Sequence, residues 1–187
     1  MLLITGATGH SGQLFVQKLI SEQYDKRIRC AVRETSDTSF LTNSGLDIDF
    51  VFGDLKDPKF TNLALNNIST VVNFTGLKCV KNIVDYENAK NLKWVISVHT
   101  TAIFSKYKVL SKEYKEIENY LINSGVNFTI IRPTMIYGGS KDRNISKLIN
   151  FLDRHKFFPV FGKGENLLQP IYANDIANAA FSILQNK

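Results

Sequence analysis

The chain opens Leu2-Leu3-Ile4-Thr5-Gly6-Ala7-Thr8-Gly9-His10-Ser11-Gly12-Gln13-Leu14, an apolar run that ends in three glycines at three-residue spacing and passes into an amphipathic stretch. The pattern predicts a strand, a tight turn and the N-terminus of a helix. Gly6 makes the sharp turn, Gly9 removes a side chain where a phosphate has to approach backbone N–H groups, and Gly12 lets the helix pack close to the strand. The positive end of the helix dipole then favours an anion. A glycine triplet is weak on its own; between a strand and a helix it has the context that a dinucleotide-binding turn requires. Gly6, Thr8, Gly9, His10, Ser11 and Gly12 are therefore the candidate pyrophosphate-binding residues.

The rest of the sequence alternates in the same way. Strands are predicted near Leu2–Thr5, Arg27–Val32, Ile48–Phe52, Thr70–Phe74, Trp94–Val98 and Phe128–Arg132. Helices are predicted near Ser11–Gln23, Lys59–Asn66, Val80–Ala89, Ser111–Asn123, Asn144–Arg154 and Asn174–Gln185. Val/Ile/Phe-rich runs alternating with amphipathic helices predict parallel βαβ units covered on both faces. The expected fold is α/β, a doubly wound parallel sheet with ligands at the carboxyl ends of its strands.

At 187 residues the chain is expected to form one domain. It has no apolar run of the ~18 residues a membrane span needs, and no room for a signal peptide before the first strand, so a cytoplasmic location is expected. Cys30 and Cys79 form neither a metal pattern nor a disulfide framework and are expected to be buried free thiols. His10, His99 and His155 lack metal-ligand spacing, and no metal is expected. The formal charge of +6 is spread along the chain without a basic-aromatic module. This argues against nucleic acid and for a basic surface that accepts phosphorylated small molecules.

Four blocks carry a resemblance to a known family. They are the glycine loop with Thr5 before it, Gly53-Asp54-Leu55 after the third strand, Ser124 to Gly138 including Ile131-Arg132-Pro133-Thr134-Met135-Ile136-Tyr137-Gly138, and Gln169-Pro170-Ile171-Tyr172-Ala173-Asn174-Asp175-Ile176-Ala177. In this order they resemble the extended and atypical short-chain dehydrogenase/reductase superfamily, which includes sugar-nucleotide epimerase-like and NmrA-like proteins. The resemblance implies an NAD(P)-binding Rossmann fold, with residues 134–173 as a reduced substrate-side segment. It implies an NAD(P)-dependent oxidoreductase, or a nucleoside-diphosphate-sugar epimerase-like enzyme, acting on a small carbonyl or alcohol substrate. A non-catalytic NADP-binding regulator and a flavin- or quinone-type reductase are the alternatives.

Arg33 follows the second strand, where a guanidinium suits a 2′-phosphate, and Ser36 and Thr38 could add hydroxyl contacts. Glu34 could instead hold an NAD ribose, so NADP is favoured and NAD remains open. Asp54 and Leu55 would lie beside the adenine, although Asp54 could also cap the helix near Pro58. Phe74, Thr75 and Gly76 would lie under the ribose, with Gly76 a close-approach position. Pro133, Met135 and Ile136 would lie on the nicotinamide side.

The family's catalytic Tyr-x-x-x-Lys pair is not found after the fifth strand. Tyr86–Lys90 precedes that strand, and Tyr137–Lys141 spans the Gly138-Gly139 turn. Thr100, with Thr101 next, matches the family's Ser/Thr segment. Tyr107 with Lys112 or Lys108 is the nearest substitute for the pair, against the alternative of a solvated lysine-rich helix face.

Overall fold

The computed structural model describes residues 1–106, 108–139, 142, 145–160, 162–165 and 167–186. Six parallel strands form one sheet: β1 (Leu2–Thr5), β2 (Ile28–Val32), β3 (Ile48–Phe52), β4 (Thr70–Asn73), β5 (Trp94–Val98) and β6 (Phe128–Ile131), in the order β3-β2-β1-β4-β5-β6. The strand order therefore reverses between β1 and β4, the crevice where a doubly wound sheet receives its ligand. Both of these central strands are buried at every position, as strands covered by helices on two faces must be.

Successive side chains of a strand point to opposite faces, and the core divides accordingly. Ile4, Val72 and Ile96 pack with Phe15, Val16 and Leu19 of α1 (His10–Ser21) and with Ala177, Ala180, Phe181 and Leu184 of α7 (Ala173–Gln185). Leu3, Val71 and Val95 pack on the other face. Their partners are Phe60, Ala64 and Leu65 of α3 (Pro58–Leu65), Val80, Ile83 and Val84 of α4 (Lys78–Val84), and Leu121 of α5 (Lys108–Asn123). The edge strand β3 is only half-buried and is tied to its neighbour by Arg29, whose Nε lies 2.7 Å from Asp49.

The helices depart from the sequence reading in identifiable places. The cap of α3 is Asp57, which accepts from the Lys59 amide at 2.9 Å with Pro58 in the first turn, and not Asp54, which accepts from Lys56 N in a separate turn. The helix expected to run from Val80 to Ala89 stops at Val84; Asp85 caps it and a short 3-10 turn follows at Ala89–Asn91. Helix α5 begins at Lys108, three residues before the expected Ser111. Strand β6 ends at Ile131 rather than Arg132, because Arg132 turns its guanidinium to Glu118 and Pro133 has no N–H for the ladder. A short helix α2 (Ser39–Thr42) was not expected.

Within 134–173, β7 (Ile136–Tyr137) pairs in parallel with β8 (Ile171–Tyr172), a two-stranded sheet too short for periodicity to reveal. Between them lies α6 (Ile145–His155), which has no buried residue. The two thiols also differ. Burial pushes Cys30 up to about 12, whereas Cys79 is only half-buried, contrary to the expectation of two buried thiols.

One buried polar group joins the central strands. Asn73 Oδ1 accepts from the Thr5 hydroxyl at 2.6 Å, from the Thr75 amide at 3.1 Å and from the Thr75 hydroxyl. Its Nδ2 donates to Ser97 Oγ at 2.8 Å. Asn73 thus ties together the carboxyl ends of β1, β4 and β5 at the switch point. An Asn73→Ala substitution leaves buried hydroxyls unpaired and should cost about 1–3 kcal/mol. Urea denaturation would read this as a lower midpoint at unchanged slope, while an unchanged midpoint would exclude the network as a stabilising element.

Candidate cofactor site

The turn between β1 and α1 is closed by Gly9 N donating to Gly6 O at 2.9 Å, with Gly6 at φ +72°. The close approach is severe at Gly12, where a Cβ would lie 2.1 Å from Gly6 O and 2.8 Å from Gly6 C. Both obstacles are backbone, so a side chain at Gly12 would lift the first turn of α1 away from the strand. Gly9 is the N-cap of α1, no side chain caps that end, and the first turn holds no acidic residue. An anion therefore meets neither a competing cap nor a like charge at this helix terminus.

In front of this turn is a cleft of about 400 Å³ lined by Gly6, Thr8, Gly9, Ala31, Val32, Arg33, Ser36, Gly53, Asp54, Leu55, Lys56, Phe74, Thr75, Gly76 and Cys79. Its volume falls in the range of small-molecule sites, roughly 300–1,000 Å³. Ten of the residues expected to contact the cofactor, Ser36 among them, line it. The sequence reading missed Lys56 and Cys79. Lys56 stands two residues beyond Asp54, close enough to that motif to have been found; Cys79 lies on α4, for which no motif was available. Thr38 is not among the lining residues.

The floor of the cleft is fixed by short links. Phe74 N donates to Thr5 O at 3.0 Å, and the Phe74 ring packs on Phe15 of α1 with centroids 5.3 Å apart. The close approach expected at Gly76 does not come from the protein itself: a Cβ there would meet nothing within 4 Å. Arg33 and Lys56 are both exposed at the cleft, and among the described residues neither is paired with a carboxylate.

His10, Ser11, Gly12, Pro133, Met135 and Ile136 do not line this cleft. His10, Ser11 and Gly12 form the first turn of α1, but the His10 side chain leaves the phosphate turn, with Nε2 2.7 Å from Gly138 O. Pro133 is buried and its carbonyl accepts from the Thr101 amide at 3.1 Å and the Thr101 hydroxyl at 3.3 Å. Met135 is partly exposed, its carbonyl accepting from Ile171 N at 2.9 Å, and Ile136 lies in β7.

The candidate catalytic residues are less well assembled. Thr100 follows β5 and accepts from Ala102 N at 3.1 Å, so its hydroxyl caps the short 3-10 turn at Thr101–Phe104. Lys112 is 80% exposed, with Nζ 3.9 Å from Glu116 one turn on. Tyr107 lies outside the described residues, and Lys108 opens α5.

Beside Thr100 is a group that the sequence reading did not single out. The Glu118 carboxylate of α5 receives Arg132 Nε at 2.9 Å and lies 3.1 Å from His99 Nδ1, joining the residues that follow β5 and β6. The His99 and Glu118 side chains are 0% and 4% exposed, and His99 Nε2 has no hydrogen-bond partner among the described residues. Burial holds His99 below its usual range, against the opposing pull of Glu118. Burial opposes ionisation of Glu118, but its bonds to Arg132 and His99 prevail and lower it. No single motif joins these three residues; only folding brings 99, 118 and 132 together.

Among the described residues no cluster of His, Cys, Asp or Glu could hold a metal ion, and no helix is long and apolar enough to cross a membrane.

A parallel sheet of this order with a glycine turn at its switch point defines a dinucleotide-binding protein. The chain belongs to the NAD(P)H-binding family, whose model matches residues 6–187. No curated protein matches it. Among solved structures it is similar to an NADPH-dependent quinone oxidoreductase from Escherichia coli, with a TM-score of 0.75 and 21% identity over 100% of this chain and 64% of that one. It is similar to a triphenylmethane reductase from Citrobacter, with a TM-score of 0.76 and 18% identity over 100% of this chain and 65% of that one. A short-chain dehydrogenase/reductase from Veillonella parvula in complex with NADP matches with a TM-score of 0.67 and 18% identity, over 99% of this chain and 87% of that one. The chain thus spans just under two thirds of the length of the first two.

Two outcomes are expected. Gly12→Ala should weaken NADPH at least tenfold by titration calorimetry, because the added methyl meets backbone that cannot move aside; wild-type affinity would mean that the turn does not hold the cofactor. Stability should also fall on acidification. His99 and Glu118 both titrate lower in the folded than in the unfolded chain, so the unfolded chain takes up protons first as pH drops. The loss assigned to His99 begins near its ordinary 6.5 and that assigned to Glu118 near 4.5. Urea midpoints measured from pH 7.5 to 5 should decline, and the decline should flatten in His99→Asn.

Proposed function

We propose that this protein is an NADPH-dependent reductase that delivers hydride to a conjugated acceptor of the quinone or dye type. The observation that carries the cofactor half is the pair of exposed cations, Arg33 and Lys56, in one cleft with the glycine turn. A 2′-phosphate is the group of NADP that NAD lacks, and a guanidinium and an ammonium in the same cleft can supply the charge-assisted bonds that the phosphate accepts. Bound there, the cofactor would supply the hydride from its nicotinamide ring. The N–H groups of the first turn of α1 would hold its pyrophosphate, and Leu55 and Phe74 would supply apolar surface. Pro133, Met135 and Ile136 belong to the segment suited to the nicotinamide side.

The acceptor half follows from the catalytic side. Carbonyl reduction in the superfamily it resembles needs a tyrosine hydroxyl and a lysine ammonium one helical turn apart. Here Lys112 faces solvent beside Glu116 and Thr100 caps its own turn. A quinone that takes hydride is left as a phenolate-type oxyanion that can collect its proton from water, and a cationic dye is neutralised by the hydride at carbon and needs no proton. Such acceptors make the weakest demand on a positioned acid. Two fold relatives are named as a quinone oxidoreductase and a triphenylmethane reductase, which agrees with this reading.

The second reading is a non-catalytic NADP-binding regulator, favoured by the same solvent-facing Lys112. An epimerase-like activity returns the hydride to its substrate and so consumes no NADPH. Steady-state NADPH oxidation with a panel of quinones, dyes, aldehydes and ketones separates the reductase from the other two. Turnover confined to quinones and dyes supports the proposal, turnover of simple carbonyls overturns it, and tight binding without turnover overturns it in favour of the regulator or the epimerase. For the cofactor, Arg33→Ala should weaken NADPH about ten- to a hundredfold, the loss expected when a charged group forfeits about 1.5–3 kcal/mol of hydrogen bonding. Affinity for NADH should stay nearly constant. Lys56→Ala should act in the same direction, and equal loss of both cofactors would remove these residues from 2′-phosphate recognition.

A further inference from the structure

We propose that His10 couples the two halves of the site, so that a dinucleotide held at the phosphate turn also sets the position of the acceptor-side segment 134–139. His10 is the first residue of α1. Its backbone belongs to the turn that would receive the pyrophosphate, while its side chain reaches a carbonyl 128 positions along the chain, Nε2 to Gly138 O at 2.7 Å. A carbonyl only accepts, so Nε2 carries the proton. The neutral Nε2–H tautomer and the imidazolium both meet that requirement, and the bond does not depend on the charge of the ring.

The receiving segment is shaped around this ring. Gly138 and Gly139 have φ of +99° and +137°, backbone that side-chain-bearing residues rarely adopt. A Cβ on Gly139 would lie 2.3 Å from His10 Cε1, and a Cβ on Gly138 would lie 2.2 Å from Tyr172 Cε2. The glycine pair therefore passes between two rings, one from the phosphate turn and one from β8. From there the segment is continuous with the acceptor side in both directions. Met135 O accepts from Ile171 N at 2.9 Å, Tyr137 packs on Tyr172 with centroids 5.5 Å apart, and Asp142 N donates to Gly139 O at 3.1 Å. The Asp142 carboxylate accepts from Ile145 N at 3.2 Å and Ser146 N at 3.0 Å, which carries the connection into α6. Whatever fixes the first turn of α1 fixes Gly138, and through it the strand that bears Ile136. His10 is thus a positioning residue.

This inference rests on the dinucleotide site but not on the identity of the acceptor, and its test reads binding rather than turnover. Backbone amide exchange of residues 134–139 is followed by mass spectrometry with and without NADP⁺. In the unmodified protein the cofactor should slow exchange in this segment. His10→Ala should still bind NADP⁺, within about tenfold, but lose the cofactor-dependent slowing. His10→Gln, which keeps a side-chain N–H, should restore part of it. Gly139→Ala displaces the ring from the other side and should give the same loss, so it decides the matter if His10→Ala does not fold. Full slowing in His10→Ala or in Gly139→Ala overturns the proposal. So does a loss of NADP⁺ affinity well beyond tenfold in His10→Ala with slowing retained at saturation, which would make the side chain a cofactor contact only. Where a quinone is turned over, its KM should rise about three- to tenfold in His10→Ala. Where none is, the reductase reading fails and the exchange measurement still decides this one.

Discussion

The approach of α1 to the end of β1, with Gly12 resting on the carbonyl of Gly6, is the constraint on which the rest of this structure depends. It sets how near the helix terminus comes to the switch point, and so whether an anion in the crevice can meet free N–H groups. The same approach brings Phe15 over Phe74 and sets α1 against α7, so a large part of one core face is laid out from this contact. Asn73 completes the arrangement from below by fixing three strand ends to one side chain. Rigidity of the crevice thus comes from backbone proximity and buried hydrogen bonds, while the cations that would choose between cofactors stand on its rim.

The fold was legible in the sequence because its signals are local. An apolar run followed by glycines needs no distant residue to be read, and all six strands appear where Val, Ile and Phe cluster. Boundaries were less legible, since they depend on partners far away in the chain. Strand β6 stops where Arg132 finds Glu118, and α4 stops well short of the expected Ala89. Gly6, Arg33, Asp54 and Phe74 were legible as neighbours in one cleft, because they stand at or just beyond strand ends. The cleft was read poorly at Lys56 and Cys79, which reach it only through the turn after β3 and the placing of α4.

The region after β5 and β6 was the least legible, for a physical reason. Its defining contacts are His10 with Gly138, Thr101 with Pro133, and Glu118 with both His99 and Arg132, and each spans a long stretch of chain. Composition and period carry no record of such pairings. The histidine in the glycine loop was assigned to the phosphates on the strength of its motif, and its ring lies against the carbonyl of Gly138. The buried Glu118 group draws the residues after β5 and β6 onto α5, which is how Thr100 and Pro133 come to share one edge.

Helix α6 has none of its residues buried, and Phe157 and Phe158 beyond it remain more than half exposed. An isolated helix of eleven residues is marginal in water, since nucleation costs more than so few turns return. In this chain α6 therefore draws its order from its capped first turn and from the aromatic cluster of Phe151, His155, Phe157 and Phe158. These are small local contributions beside the two-faced core of the sheet. Warming should consequently fray this helix as a separate unit at temperatures where the Rossmann core is still intact.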